Sequence, residues 1–196
     1  ALESLGARLI ESTNGKCPLT IQGPIKGGKC SVNGISSQFL SALLIACPLA
    51  KEDTEIIVEN LHEAPYVMIT LDWLDYQGIK YERKGLDWFK IKGGQSYHSF
   101  ERVIPADFSS ATFSACAAAI TGSELLLKGL DFYDSQGDKQ IFSYLEKMGA
   151  VIKHTDEGVI VKGGNLRGVE IDMNATPDAL PAFAATACFA KGTTKL

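Results

Sequence analysis

Three stretches of the chain carry side chains able to serve a ligand. Ser36-Ser37-Gln38 and Ser109-Ser110 each open an apolar segment (SSQFLSALLIACPLA and SSATFSACAAAI), and Thr176-Pro177-Asp178 opens a third. Short polar residues at such places are N-caps first of all, because an oxygen accepts from the unsatisfied amides of a first helical turn. Capping is the leading reading for Ser109 and Ser110. At Ser36 and Ser37 one hydroxyl suffices for a cap, and the second, with the Gln38 amide, offers several donors to a phosphate. Asp178 reads both as a cap with a stabilised charge and as a base for a bound hydroxyl. Pro177 and Pro181 fit a first turn, where neither interrupts an internal hydrogen bond.

Other reactive residue types point elsewhere. The five cysteines, Cys17, Cys30, Cys47, Cys116 and Cys188, are odd in number and never at CxxC spacing, so they read as small core residues in a reducing compartment. His62, His98 and His154 lie in separate stretches, and no metal site is expected. Gly23 to Cys30 (GPIKGGKC) has phosphate-loop spacing, but Cys30 stands where a Ser or Thr holds magnesium. The following Ser31-Val32-Asn33-Gly34 reads as strand and turn instead of helix, so nucleotide binding is not expected. Trp73, Tyr76, Tyr81, Trp88 and Phe89 follow helix and strand periods and are expected in the core.

The elements that position these residues repeat along the chain. The serine pairs are 109 − 36 = 73 residues apart, and each apolar segment is followed by a β-like run, Glu55 to Glu59 and Glu124 to Lys128. A helical segment then ends on glycine, at Gly78 and Gly149, with a partial copy at Leu2 to Gly6. These glycines are spaced 78 − 6 = 72 and 149 − 78 = 71 residues. Glycine after a last helical turn takes the left-handed conformation without cost. Alternating residues follow each one, and a second short strand closes each copy at Gly23, Gly93 or Gly163, so each copy reads helix, strand, helix, strand, strand. The third copy, from Thr176, is expected to reach a strand at Gly192 to Leu196. Both ends read as cut within a copy, and the chain as an excerpt of a longer one.

With 45% hydrophobic and 21% charged residues in 196, the chain can bury a sizeable core. The net charge of −4 is spread without long like-charge blocks, which leaves no electrostatic footprint for nucleic acid. No leader-like opening or membrane-spanning run is seen, and a soluble, cytoplasmic protein is expected.

Several motifs in register, Gly34 to Leu44, Ala64-Pro65-Tyr66, Asp107 to Phe113, Gln136-Gly137-Asp138 and Pro177-Asp178-Ala179 with Phe189 to Thr194, resemble the 3-phosphoshikimate 1-carboxyvinyltransferase (EPSP synthase) family of the shikimate pathway. The resemblance implies an α+β fold of repeated βαβαββ units in two lobes, the enolpyruvyl transferase (EPT/RTPC-like) fold, present here in part. Residues 1–104 then belong to the N-terminal, shikimate-phosphate-binding lobe and 105–196 to the C-terminal lobe, with substrates between lobes. The implied reaction moves the enolpyruvyl group of phosphoenolpyruvate to the 5-hydroxyl of shikimate 3-phosphate. By position, Ser36 and Ser37 resemble the residues that bind the shikimate phosphate, Gln38 and Tyr66 further substrate contacts, and Asp178 the catalytic base. No cofactor, nucleic acid or membrane partner is implied, and the full-length enzyme is expected to be monomeric.

The chain departs from the family pattern in places. Glu63 stands where a phosphate-binding serine is usual, Pro105-Ala106 where Glu-Gly is usual, and Pro181 where methionine is common. The family's N-terminal lysine and arginines and its later Glu and Arg cluster have no counterpart, so this chain alone is expected to have no useful turnover. Two alternatives stand beside the reading. One is the UDP-N-acetylglucosamine enolpyruvyl transferase, which lacks Ser-Ser-Gln-Phe-Leu and usually carries a loop cysteine unlike the five here. The other is a non-catalytic binding domain of the same fold, with Glu63 as its motive.

Overall fold

In a computed structural model, which describes residues 1–11 and 16–196, the β-like run Glu55 to Glu59 lies in a strand over residues 54–59. Thr54, Ile56 and Val58 are buried, while Glu55, Ile57 and Glu59 are not. This strand, β4 (Thr54–Glu59), pairs in parallel with β3 (Gly28–Asn33) and antiparallel with β6 (Trp88–Ile91), which in turn pairs with β5 (Tyr81–Lys84). The sheet order is β3-β4-β6-β5. Helix α1 (Ser37–Ala46) connects β3 to β4, and α2 (Ala64–Tyr76) connects β4 to β5. Parallel strands need such crossovers, because a tight hairpin reverses direction. The result is one βαβαββ unit. Its core joins Leu40, Leu43 and Leu44 of α1 and Val67, Leu71 and Leu74 of α2 to Ile56, Phe89 and Ile91 of the sheet.

The same plan recurs in residues 101–196. Helix α3 (Phe108–Thr121), strand β7 (Glu124–Leu127), helix α4 (Gln140–Met148) and strands β8 (Val151–Thr155) and β9 (Gly158–Lys162) follow in order. The sheet order β7-β9-β8, with β9 antiparallel to both neighbours, matches β4-β6-β5. No strand precedes α3 among the described residues of this unit, so its sheet lacks the counterpart of β3. Phe108, Ile141, Phe142, Leu145, Val159, Val161 and Phe183 fill its core. By internal contacts the chain divides into Ala1–Phe100 and Glu101–Leu196.

Several expectations need correction. The partial helix at Leu2 to Gly6 is a single turn, closed by the Leu5 amide on the Ala1 carbonyl at 3.1 Å and ended by left-handed Gly6 (φ 94). It leads into a two-stranded antiparallel ribbon, β1 (Arg8–Glu11) with β2 (Thr20–Gln22). No strand forms at 192–196. Isolated parallel bridges at Lys191 and Lys195 join irregular chain at Arg167 and Glu170, too sparse for a continuous ladder. The third copy is thus represented by α5 (Leu180–Ala187). Cys30, Cys47 and Cys116 are buried, but Cys17 and Cys188 are exposed. Tyr76 is 48% exposed. It packs edge-on against Trp73 and Phe100, at centroid distances of 5.6 and 5.7 Å.

The glycines that mark the repeat act as expected at two kinds of position. Gly78 (φ 70) and Gly149 (φ 109) end their helices in the left-handed region. Gly93 and Gly163 close their copies for a steric reason. A Cβ on Gly93 would lie 2.4 Å from the Glu52 carbonyl oxygen, and one on Gly163 would lie 2.3 Å from the Gly122 Cα. Both neighbours are backbone and cannot swing away. At Gly23 the nearest atom to such a Cβ is 3.8 Å distant. Gly93→Ala and Gly163→Ala are therefore expected to lower stability by about 1–3 kcal/mol through overcrowding, and Gly23→Ala to change it little, as read by urea denaturation.

Candidate functional site

The parallel β3–β4 pair sets the geometry of the first unit. A chain leaving two parallel strands at the same edge must start both following helices there. Two backbone hydrogen bonds tie the exit loops together: the Gly34 amide donates to the Glu59 carbonyl at 2.6 Å, and the His62 amide to the Gly34 carbonyl at 2.8 Å. The helices then run side by side in the same direction. Ser37 meets Glu63 at their N-terminal ends, and four residues into α1 the Ser41 hydroxyl bonds that of Thr70 at 2.8 Å.

Ser36 is the N-cap of α1, with extended backbone (φ −132, ψ 131), and its hydroxyl oxygen accepts from the Gln38 amide at 3.4 Å. Ser37 is 2% exposed. Its hydroxyl donates to Glu63 Oε2 at 2.8 Å and its amide to the same oxygen at 3.2 Å. Glu63 precedes α2 in the left-handed region (φ 57, ψ 40), a conformation costly for a residue with a Cβ and held by its surroundings. Tyr66, half-buried in the first turn of α2, donates its amide to the Glu63 carbonyl at 3.1 Å. Gln38 is exposed beside them. Ser36, Ser37, Gln38 and Tyr66 thus share one edge of one unit. Two helix N-termini with their partial positive charge converge there, which suits an anion.

Asp178 belongs to the other unit. It is exposed and lies within a short 3₁₀ turn, Pro177–Ala179, that leads into α5. The cap position of that turn is Thr176, whose side chain makes no capping bond. The Asp178 side chain is exposed to solvent.

Ser109 and Ser110 are not caps. Asp107 caps α3: its carboxylate accepts from the Ser109 amide at 3.1 Å, the Ser110 amide at 3.0 Å and the Ser110 hydroxyl at 2.5 Å. The caps Ser36 and Asp107 are 107 − 36 = 71 residues apart, equal to the Gly78–Gly149 spacing. The two serine pairs, 73 apart, therefore fall two residues out of structural register. A further equivalence was hidden in the sequence. Gln136 Oε1 accepts from the amide of Phe108, the first residue of α3, at 2.9 Å, just as Glu63 accepts from the amide of Ser37, the first residue of α1. In both units a side chain from the loop before the second helix ties down the start of the first.

These features can be set beside known proteins. The family model for EPSP synthase (3-phosphoshikimate 1-carboxyvinyltransferase) matches residues 1–196. The chain belongs to this family. Curated relatives bearing that enzyme name include one from Acetivibrio thermocellus, 52% identical over 197 residues, and one from Ruminiclostridium cellulolyticum, 47% identical over 197 residues. Each alignment covers 100% of this chain and 47% of the relative, so the chain spans about half the length of the curated relatives it matches. Among solved structures, EPSP synthase from Acinetobacter baumannii superposes with a TM-score of 0.72 at 24% identity, covering 100% of this chain and 47% of that one. The enolpyruvyl transferase NikO from Streptomyces tendae gives 0.68 at 16% identity, covering 98% and 48%. These two likenesses establish the enolpyruvyl transferase fold. Among the described residues no helix is long and apolar enough to cross a membrane.

The Asp107 cap has a measurable signature. Burial pushes its carboxyl upward, but the Ser110 hydroxyl and the amides of Ser110 and Ser109 outweigh burial and hold it below its ordinary value. A lowered folded-state value means stability that is present above the unfolded aspartate pKa of about 3.9 and lost as pH falls through the folded value. Asp107→Ala is expected to cost about 1 kcal/mol at neutral pH. Its deficit against wild type should shrink on acidification below pH ~4, as measured by denaturation at a series of pH values.

Proposed function

We propose that this chain serves the transfer of the enolpyruvyl group from phosphoenolpyruvate to the 5-hydroxyl of shikimate 3-phosphate, giving 5-enolpyruvylshikimate 3-phosphate and phosphate. Membership of the EPSP synthase family across all 196 residues carries the reading. The gathering of Ser36, Ser37, Gln38 and Tyr66 at one sheet edge supports it, because that edge offers hydroxyl and amide donors and two helix N-termini to a phosphate. In this reading residues 1–104 lie within the N-terminal lobe and residues 105–196 within the C-terminal lobe. The whole enzyme is read as a cytoplasmic monomer.

The reaction is an addition followed by an elimination. A proton reaches the methylene carbon of phosphoenolpyruvate, the 5-hydroxyl oxygen bonds to its C2, and loss of phosphate with a methyl proton restores the double bond. Attack requires removal of the hydroxyl proton, and Asp178, an exposed carboxylate without a capping duty, is assigned that step. Ser36, Ser37 and Gln38 hold the shikimate phosphate and Tyr66 lies against the same ligand, fixing the hydroxyl for attack.

Two sets of variants in the full-length enzyme test these roles. Ser36→Ala and Ser37→Ala are expected to weaken shikimate 3-phosphate binding by about tenfold or more each, the loss of a hydrogen bond to a charged group, as read by calorimetry. Unchanged affinity removes the phosphate assignment. Asp178→Ala is expected to lower kcat by on the order of a hundredfold or more with a much smaller change in substrate affinity. Normal turnover removes Asp178 from the mechanism.

A further inference from the structure

Ser37 is assigned above to the ligand phosphate, yet both of its donors are already engaged. The hydroxyl at 2.8 Å and the amide at 3.2 Å converge on one carboxylate oxygen of Glu63, and Ser37 itself is buried. A phosphate oxygen needing these donors must take the place held by Glu63 Oε2. We propose that Glu63 is an internal anion that competes with the ligand phosphate for the tip of α1, and so sets the affinity of this site for phosphorylated ligand. The inference rests on the phosphate-binding reading of Ser36 and Ser37.

The second unit separates the mechanical role of this contact from its charge. There Gln136 Oε1 makes the corresponding bond to the Phe108 amide at 2.9 Å, so a neutral amide suffices to tie a helix start to the loop that follows. The negative charge at Glu63 is not needed for the link. Its electrostatic effect is therefore specific to the first unit, where the cap, Ser36, is neutral. In the ligand-free state the carboxylate sits at the tip of α1, where one of its oxygens accepts from both Ser37 donors. With a phosphate bound within hydrogen-bonding distance of Ser37, two like charges share that space, and the carboxylate must withdraw or remain at a cost. Glu63 is held by backbone in the left-handed region and by Pro65 two residues on, so withdrawal falls to its side-chain torsions. A ligand that lacks the phosphate makes no such demand.

Glu63→Gln in the full-length protein isolates the charge, since glutamine keeps the acceptor oxygen and copies the Gln136 contact. Calorimetry with shikimate 3-phosphate and with unphosphorylated shikimate on wild type and variant supplies the test, with thermal melts confirming that the variant folds. The expected result is binding of shikimate 3-phosphate tightened by about tenfold, with shikimate affinity unchanged. Glu63→Ser, which removes both charge and reach, should tighten the phosphorylated ligand as well. Equal or weaker binding of shikimate 3-phosphate by both variants, while Ser37→Ala still weakens it, overturns the competition and leaves the phosphate site standing. Tightening of both ligands alike overturns it too, because the effect is then not specific to phosphate. If neither wild type nor variants bind shikimate 3-phosphate, the site assignment itself fails and this inference with it.

Discussion

The parallel pairing of β3 with β4 is the constraint from which the site follows. Parallel strands of one sheet are joined by crossovers, so α1 and α2 each begin at the carboxyl edge and run in the same direction. Antiparallel neighbours would point one helix end away and cancel the two dipoles. Here they add, and the short bonds between the Gly34 and Glu59–His62 segments keep the two tips adjacent. The carboxyl edge is also where open α/β sheets ordinarily receive ligands. The donors at Ser36 and Ser37 thus owe their position to strand direction before they owe it to any feature of their own.

Much of this was legible in the sequence, because it depends on local rules. The apolar and glycine-ended segments placed α1, α2, α3 and α4, the β-like runs placed β4 and β7, and the alternation after glycine placed β5 and β8. The helix-ending glycines gave the true repeat length, since a left-handed position tolerates few other residues. The serine pairs gave a misleading one. Their shared type concealed a shift of two residues, because a cap is defined by where the backbone leaves the helix, and at the second start Asp107 meets that condition first. Capping strength ranks aspartate with serine, so residue type alone could not choose between them.

What sequence reasoning missed is non-local. The Ser37–Glu63 bond spans 26 residues and the Phe108–Gln136 bond 28, and neither exists until the start of one helix has been brought beside the loop that leads to the next. Exposure of Cys188 and Tyr76 has a similar origin. Each sits in an apolar stretch, but which residues of such a stretch are covered is settled by the packing of the whole unit, and Tyr76 on α2 and Cys188 just past α5 are left exposed. Glu63 was visible as an acid near a proposed phosphate site. That it occupies both Ser37 donors could not be read without the register of α1 against α2.

The two units solve one electrostatic problem with the charge in different places. A helix start leaves amides unsatisfied and carries partial positive charge. In the second unit the cap itself is the acid: Asp107 takes both the Ser109 and Ser110 amides, its carboxyl held below the ordinary value, and the linking residue Gln136 is neutral. In the first unit the cap is a hydroxyl and the link is the acid. An acid at the cap is bonded to its own helix and would leave the tip already neutralised when a phosphate arrives. An acid at the link reaches the tip only through its side chain, and rotation of that side chain can release Ser37 while the Ser36 cap stays in place. The first arrangement suits a helix start kept for structure, and the second suits one that must exchange an internal anion for an external one.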